Sequence, residues 1–282
     1  LIYFSSDANL AANAQADGDD ILFTSSDGLT KLDHQIEGFT PATGALWACV
    51  RIPTLSSSTD TTLYLYYGND GASNQQNTVG VWDSNYIGVW HMNESSGNFD
   101  DATSPATTND GVAYNNPTRQ VSGAVGYGVT FTGSSSQYVN LGDLGVSGSS
   151  ARTISLWYNT SSYSQSWGAL ICNTSGGSAY RSFMICITNP ETGNRIGGHY
   201  WSSNTDSGVL ASTLGAGWQY VTIVQDPSSP TAKQRIYING TAYVGTSNLN
   251  LNTYNGVYQL ARRAEYGPYY YTGSMDEVQF SN

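Results

Sequence analysis

The chain is short of positive charge: 282 residues carry 10 Lys and Arg against 21 Asp and Glu, a formal net charge of −11. Such a surface repels phosphate backbones and anionic lipid headgroups, which argues against a nucleic-acid partner. No run approaches the roughly 18 apolar residues that a membrane helix needs, and no signal-peptide pattern is present, so no membrane insertion is expected within this chain. Amphipathic helix is scarce too, with "DANLAANAQA" (Asp7–Ala16) the one brief helix-like run. Cysteine is limited to Cys49, Cys172 and Cys186. The last two lie in apolar runs, "ALICN" and "FMICI", that read as neighbouring strands, which leaves open both a disulfide and two buried thiols.

What is abundant is turn and strand chemistry, with 31 Gly and 21 Tyr among many Ser, Thr and Asn. Strand-like segments "LIYFS", "DILFTS", "ALWACVRI" and "TTLYLYYG" fill the first part, separated by turn signals such as "SDG" and "GND". A polar stretch, Asn69–Asn77, then breaks the pattern, and a boundary is placed just after it. This gives a small β domain over 1–82 and a larger one over 83–282. The larger part holds ten or more short strands without intervening helices, which means a β-sandwich or barrel. Its clearest local signal is "RIYI-NG-TAYV". Asn239-Gly240 between two alternating runs is what a two-residue type I′ hairpin requires, since both central residues need positive φ. The chain also opens on Leu1, without Met and inside an apolar segment, so it reads as a piece of something longer whose targeting and anchoring segments lie elsewhere.

From about Tyr86 to Asn282 the sequence resembles a laminin-G-like domain of the concanavalin A-like jelly-roll superfamily. The motifs that carry this are "GVWHMNESSG", "DATSPATTNDGVA", "GYGVTFTGSSSQYVNLG", "RTISLWYN", "GWQYVTIVQD", "IYINGT" and "YYTGSMDEVQFSN", in the family's order. The front part, from "DGDDILFTSSDGLTKLDHQIEGF" to "VWD", resembles an uncharacterised β domain that often precedes a laminin-G-like domain in large microbial surface proteins. The resemblance implies an all-β chain, with a concanavalin A-like jelly-roll sandwich preceded by a smaller β-sandwich-like domain. It also places the small domain's opening strand upstream of Leu1.

Candidate site residues follow from parity and from the resemblance. In "MDEVQF", Asp276 shares strand parity with Val278 and Phe280, and in "GVWHMNE", Glu94 shares parity with Trp90 and Met92. A carboxylate at the rim of a core is costly unless it is hydrogen-bonded or holds a cation. Oxygen-rich surroundings suit Ca²⁺, and many jelly rolls of this superfamily hold a structural calcium near their first and last strands. Asp276 is therefore the leading ligand, with Glu94 and Asp101 behind it and backbone carbonyls completing the sphere. The alternative is a carboxylate that only accepts backbone N–H bonds. His91 has the opposite parity to Trp90 and is expected to face solvent or a loop. The acidic run "ADGDD" (Ala16–Asp20) lacks the later bidentate Glu of a calcium loop and reads as a solvated turn.

Glycoside hydrolases of the superfamily carry a Glu-x-Asp-x-x-Glu strand. The five glutamates here, Glu37, Glu94, Glu191, Glu265 and Glu277, do not form it. A lyase-like set of Arg195, His199 and Tyr200 lacks the flanking motifs of such enzymes. No zinc, phosphate-loop or Ser-His-Asp signature appears. Sugar binding needs exposed rings beside polar donors, and "GGHYWSSNTD" and "RRAEYGPYYYTG" supply Trp201, Tyr266 and Tyr200. Tyr270 and Tyr271 stand where the family packs aromatic residues and are read as structural. Asn159 and Asn173 open Asn-x-Ser/Thr sequons. The expectation is a non-catalytic extracellular or cell-surface adhesion module that binds a glycan or a surface protein. The rivals are a self-assembling layer or filament subunit and a divergent glycan-cleaving enzyme.

Overall fold

A computed structural model describes residues 1–104, 109–161, 163, 165, 167–173, 182–190, 193, 195–199, 204–210, 214–244, 249–263 and 269–282. It divides into two units, Leu1–Ser84 and Asn85–Asn282.

The first unit is built on two three-stranded antiparallel sheets. One runs Ile2–Phe4, Ala45–Val50, His34–Thr40 in spatial order, and the other Lys31–Leu32, Leu22–Thr24, Tyr64–Tyr66. The helix-like run forms a helix over Ala8–Asn13, started by Asp7, whose carboxylate accepts from the N–H groups of Asn9 and Leu10. Leu10 carries the helix into a small core with Ile21, Phe23, Leu32, Leu46 and Ala48. The acidic run differs from its expectation. Asp20 is buried, and its oxygens accept from the backbone N–H groups of Gln15, Gly68 and Asn69. Three backbone donors explain why a carboxylate is tolerated there.

The second unit is a sandwich of two large antiparallel sheets. The eight-stranded sheet runs Thr241–Val244, Gln234–Ile238, Gln219–Gln225, Arg152–Asn159, Gly273–Ser281, Tyr127–Phe131, Thr118–Ser122, with Tyr86–Trp90 also paired to Gly273–Ser281. The seven-stranded sheet runs Asn204–Leu210, Arg195–His199, Met184–Asn189, Ala169–Asn173, Val257–Leu260, Tyr138–Asp143, Val112–Tyr114. Alternate residues of both face inward: Ile154, Leu156 and Tyr158, then Val221 and Ile223, meet Val139, Leu141, Ile171 and Leu260 in one core. The Asn239-Gly240 hairpin is present, with φ of 50° and 78° between paired Ile238 and Thr241.

Arg152 lies between the sheets, 1 % exposed. Its guanidinium donates to the carbonyls of Ser147, Gly148 and Ser150 and to the hydroxyls of Thr253 and Tyr258. No carboxylate pairs with it among the described residues, and these acceptors replace its water. Cys172 and Cys186 are free thiols. They pair in register with Met184 and Ala169 respectively, not with each other. Asn173 is fully buried, which closes that sequon to modification in the folded domain.

Candidate functional site

The strand Gly273–Ser281 corrects the parity reading of Asp276. Between Ser155↔Gln279 and Trp157↔Asp276 its partner advances two residues while this strand advances three, and Glu277 sits there at φ 50°. This is a β-bulge, and it reverses the alternation. Met275, Val278 and Phe280 all enter the core. Asp276 consequently points to the outer face of the sheet, where the segment from Gly123 to Val125 covers it.

Asp276 is buried nonetheless. Its Oδ2 accepts from Val125 N at 2.8 Å, while Oδ1 is buried with no hydrogen-bond partner. A side chain at Gly123 would stand 2.6 Å from Oδ2, so glycine there is what lets the backbone close over the carboxyl. Burial, reinforced by the neighbouring Glu277 carboxylate, pushes the Asp276 carboxyl up to about 8, against the lowering effect of the backbone donors.

The other two acidic candidates are not gathered around it. Among the described residues, Asp276, Glu94 and Asp101 form no cluster of ligating atoms. Glu94 Oε1 accepts from Asp100 N at 2.8 Å, and its Oε2 is buried without a partner. Burial raises the carboxyl of Glu94 above the usual range. Asp101 is consumed by the fold. Its Oδ1 accepts from Val89 N and from the N–H and hydroxyl of Thr103, and its Oδ2 from the amide of Asn109. It ties the acidic loop to the strand Tyr86–Trp90, and the expectation of a ligand role gives way to this one. His91 likewise does not face open solvent. Its Nδ1 lies 2.9 Å from Glu277 Oε1, and the bulge that turns Asp276 outward also presents Glu277 to it.

A second feature lies on the outer face of the seven-stranded sheet. Tyr138 precedes the inward-facing Val139 and so faces outward, opposite Tyr114 in the next strand. Their rings stack at 4.5 Å and 4°, and Tyr114 is 40 % exposed. Tyr270 lies 6.3 Å from Tyr138, and the Arg262 guanidinium sits 4.5 Å above the Tyr138 ring and 5.8 Å from Tyr270. Burial raises the Tyr138 phenol, against the lowering effect of the Arg262 charge. The next residue, Arg263, lies 4.1 Å over Trp167 and 5.8 Å from Tyr269. Tyr270 thus belongs to a surface group. Tyr271 is structural as expected, fully buried, with its hydroxyl donated to the carbonyls of Asn159 and Ser274.

Trp201, Tyr200 and Tyr266, the rings expected to meet a sugar, lie outside the described residues, as do Glu191 and Glu265. Of the lyase-like set, Arg195 and His199 are described. His199 packs edge-on against Trp167 at 4.7 Å. The Tyr114–Tyr138–Arg262 group is what sequence reasoning missed. Its signal was the outward parity of Tyr138 and the doublet Arg262-Arg263.

Two packed antiparallel sheets, closed by first and last strands that pair with each other, define a jelly-roll sandwich. The chain belongs to the concanavalin A-like lectin/glucanases superfamily, whose Laminin_G_3 family model matches residues 132–282. Ahead of it stands a domain of unknown function, DUF2341, matched over residues 17–110. No curated protein matches the chain in sequence. Among solved structures, domain 4 of AbnA, a GH43 extracellular arabinanase from Geobacillus stearothermophilus in complex with arabinotriose, aligns at 14 % identity with a TM-score of 0.51, over 70 % of this chain and 92 % of that one. Trypanosoma rangeli sialidase aligns at 11 % identity and TM-score 0.48, over 75 % of this chain and 32 % of that one. The binding domain of botulinum neurotoxin DC aligns at 12 % and 0.48, over 70 % of this chain and 48 % of that one. At 14 % identity the likeness to the arabinanase domain is one of fold. No helix among the described residues is long and apolar enough to cross a membrane.

Proposed function

We propose that the chain is a non-catalytic recognition module of an extracellular or cell-surface protein, and that its jelly roll binds a glycan. The observation that carries this reading is the parallel Tyr114–Tyr138 stack on an outer sheet face, flat and open at Tyr114. Pyranose rings present apolar C–H faces that pack on such rings, and tyrosine offers that area at low entropic cost. The glutamates also lack the two-carboxylate strand pattern that hydrolysis on this fold would use.

The test is affinity electrophoresis of the full chain through gels containing a panel of soluble polysaccharides, beside Tyr114→Ala. Retardation of the wild type, lost at least tenfold in the variant, is the expected result. Equal mobility of the wild type in every gel would overturn the reading, and release of reducing ends would replace it with an enzyme.

We further propose that Asp276 holds a structural Ca²⁺. Three features of the chain support the fit: a buried carboxylate oxygen without a donor, a glycine cradle that a Cβ would fill, and a hard oxygen donor suited to calcium. Asp276 would hold the ion with backbone carbonyls, and the ion would fasten the segment around Gly123 to the last strand. Glu94, whose second oxygen is also unpartnered, is a secondary candidate; Asp101 is not.

A further inference from the structure

The cations whose contacts the structure describes are not all engaged in the same way. Lys31, Arg51, Arg119, Arg152, Lys233 and Arg235 all donate to oxygen acceptors of their own unit, whether carbonyl, amide, hydroxyl or carboxylate. Arg262 and Arg263 are held differently. Consecutive in one short strand, they are held chiefly by rings, Arg262 by Tyr138 and Tyr270 and Arg263 by Trp167 and Tyr269. Each has a buried Nε with no acceptor, and neither has a carboxylate in ion-pairing range among the described residues.

A chain with 21 acidic residues has no shortage of carboxylates to offer. Two adjacent guanidinium groups with no carboxylate beside them among the described residues are costly to desolvate, and cation–π contact offsets only part of that cost. Stacking engages the face of a guanidinium, while its planar edge presents the fork of N–H donors that fits a carboxylate through two parallel bonds; on Arg262 part of that edge also meets the Tyr138 phenol.

We propose that the jelly roll binds an acidic saccharide, with Arg262 receiving a sugar carboxylate and the open face of Tyr114 receiving an adjoining ring. This rests on the glycan-recognition role above and names its ligand class. Arg263, the next residue and 5 % exposed, adds a second positive charge close by. The saccharide is favoured over an acidic peptide because the cation is set among flat aromatic faces.

The experiment is isothermal titration of the full chain with short oligosaccharides of galacturonate, glucuronate and mannuronate. Each is compared with its methyl ester, which keeps the rings and removes the charge, and a sulfated neutral oligosaccharide and pentaglutamate complete the set. At least one free acid should bind at least tenfold more tightly than its ester. Arg262→Ala should abolish that preference, Arg262→Lys should restore part of it, and Tyr114→Ala should weaken acid and ester alike. Melting curves confirm that the variants fold, and the acid–ester comparison on wild type needs no variant.

Equal binding of acid and ester, or a preference that survives Arg262→Ala, overturns the proposal and leaves glycan recognition standing. Binding of the sulfated sugar alone also overturns it, since the recognised group is then a sulfate ester. Pentaglutamate binding through Arg262 with no saccharide binding overturns both readings in favour of a protein partner. No binding by any saccharide overturns both as well.

Discussion

Replacing Asp276 with Asn, and melting both proteins between about pH 5 and pH 9 in EDTA or in millimolar Ca²⁺, separates a buried charge from a buried ligand. In the fold the carboxyl is pushed from its ordinary 3.8 up to about 8, first by burial and then by Glu277. An unfolded chain releases that proton near 3.8, so between the two values the native state binds more protons. The stability tied to the neutral carboxyl is therefore full below about pH 4 and is lost as pH climbs through about 8. The interval between 3.8 and about 8 corresponds to roughly 6 kcal/mol. For a domain of this size that is on the order of 10 °C in melting temperature.

Without metal, the wild type should thus lose stability across this range relative to Asp276→Asn, whose amide has no proton to release. Calcium competes with the proton for the same oxygens, so it should raise the wild-type melting temperature most at high pH and leave Asp276→Asn unmoved. Parallel pH profiles of the two proteins in EDTA would refute the burial argument. Diverging profiles with no response to calcium would keep the buried carboxyl and refute the metal.

Arg152→Met should cost about 3 kcal/mol or more in urea unfolding of the jelly roll, because it removes at once the donors to the carbonyls of Ser147, Gly148 and Ser150 and to the buried Thr253 and Tyr258 hydroxyls. Gly44→Ala should destabilise the first unit by at least about 2 kcal/mol. The position holds φ +67°, and a Cβ there would run into the backbone oxygen of Asp7 and stand 2.9 Å from Ala11 N, at the start of the helix. Thermal melting followed by circular dichroism reads that loss. Tyr271→Phe removes one hydroxyl bonded to the carbonyls of Asn159 and Ser274, and should cost about 1–3 kcal/mol with no change in fold.

Much of the fold was legible because it is encoded locally. Asn239-Gly240 specifies its hairpin by backbone preference alone, Asp7 announces the helix it caps, and the alternation in Arg152–Asn159 sets which residues enter the core. The candidate site was legible only in part, and the failures share a cause. Period-two parity holds only while a strand is regular. Glu277, at φ 50°, breaks it within Gly273–Ser281, and Met92, at φ 60°, turns the chain just past the end of Tyr86–Trp90, so parity does not carry on to Glu94. Asp276 survived as a candidate although its direction was misread, because a carboxyl covered by a glycine-lined segment is as buried as one in the core. Asp101 did not survive, because nothing in "NFDDA" reveals that Val89, Thr103 and Asn109 would claim its oxygens.

The aromatic surface shows a different limit. Tyr114, Tyr138, Arg262 and Tyr270 come from four segments, and what makes them a group is register. Tyr114 stands opposite Tyr138 in one pairing and Arg262 opposite Tyr270 in another. A shift of one residue in either would send a ring to the core face and leave the others as scattered surface tyrosines. The inward side chains Val139 and Leu141 fix the first register, since a slip would expose them. The hydrophobic core therefore sets the spacing of the outer face, and a substitution that loosened packing at Val139 would act on ligand binding without touching a ligand.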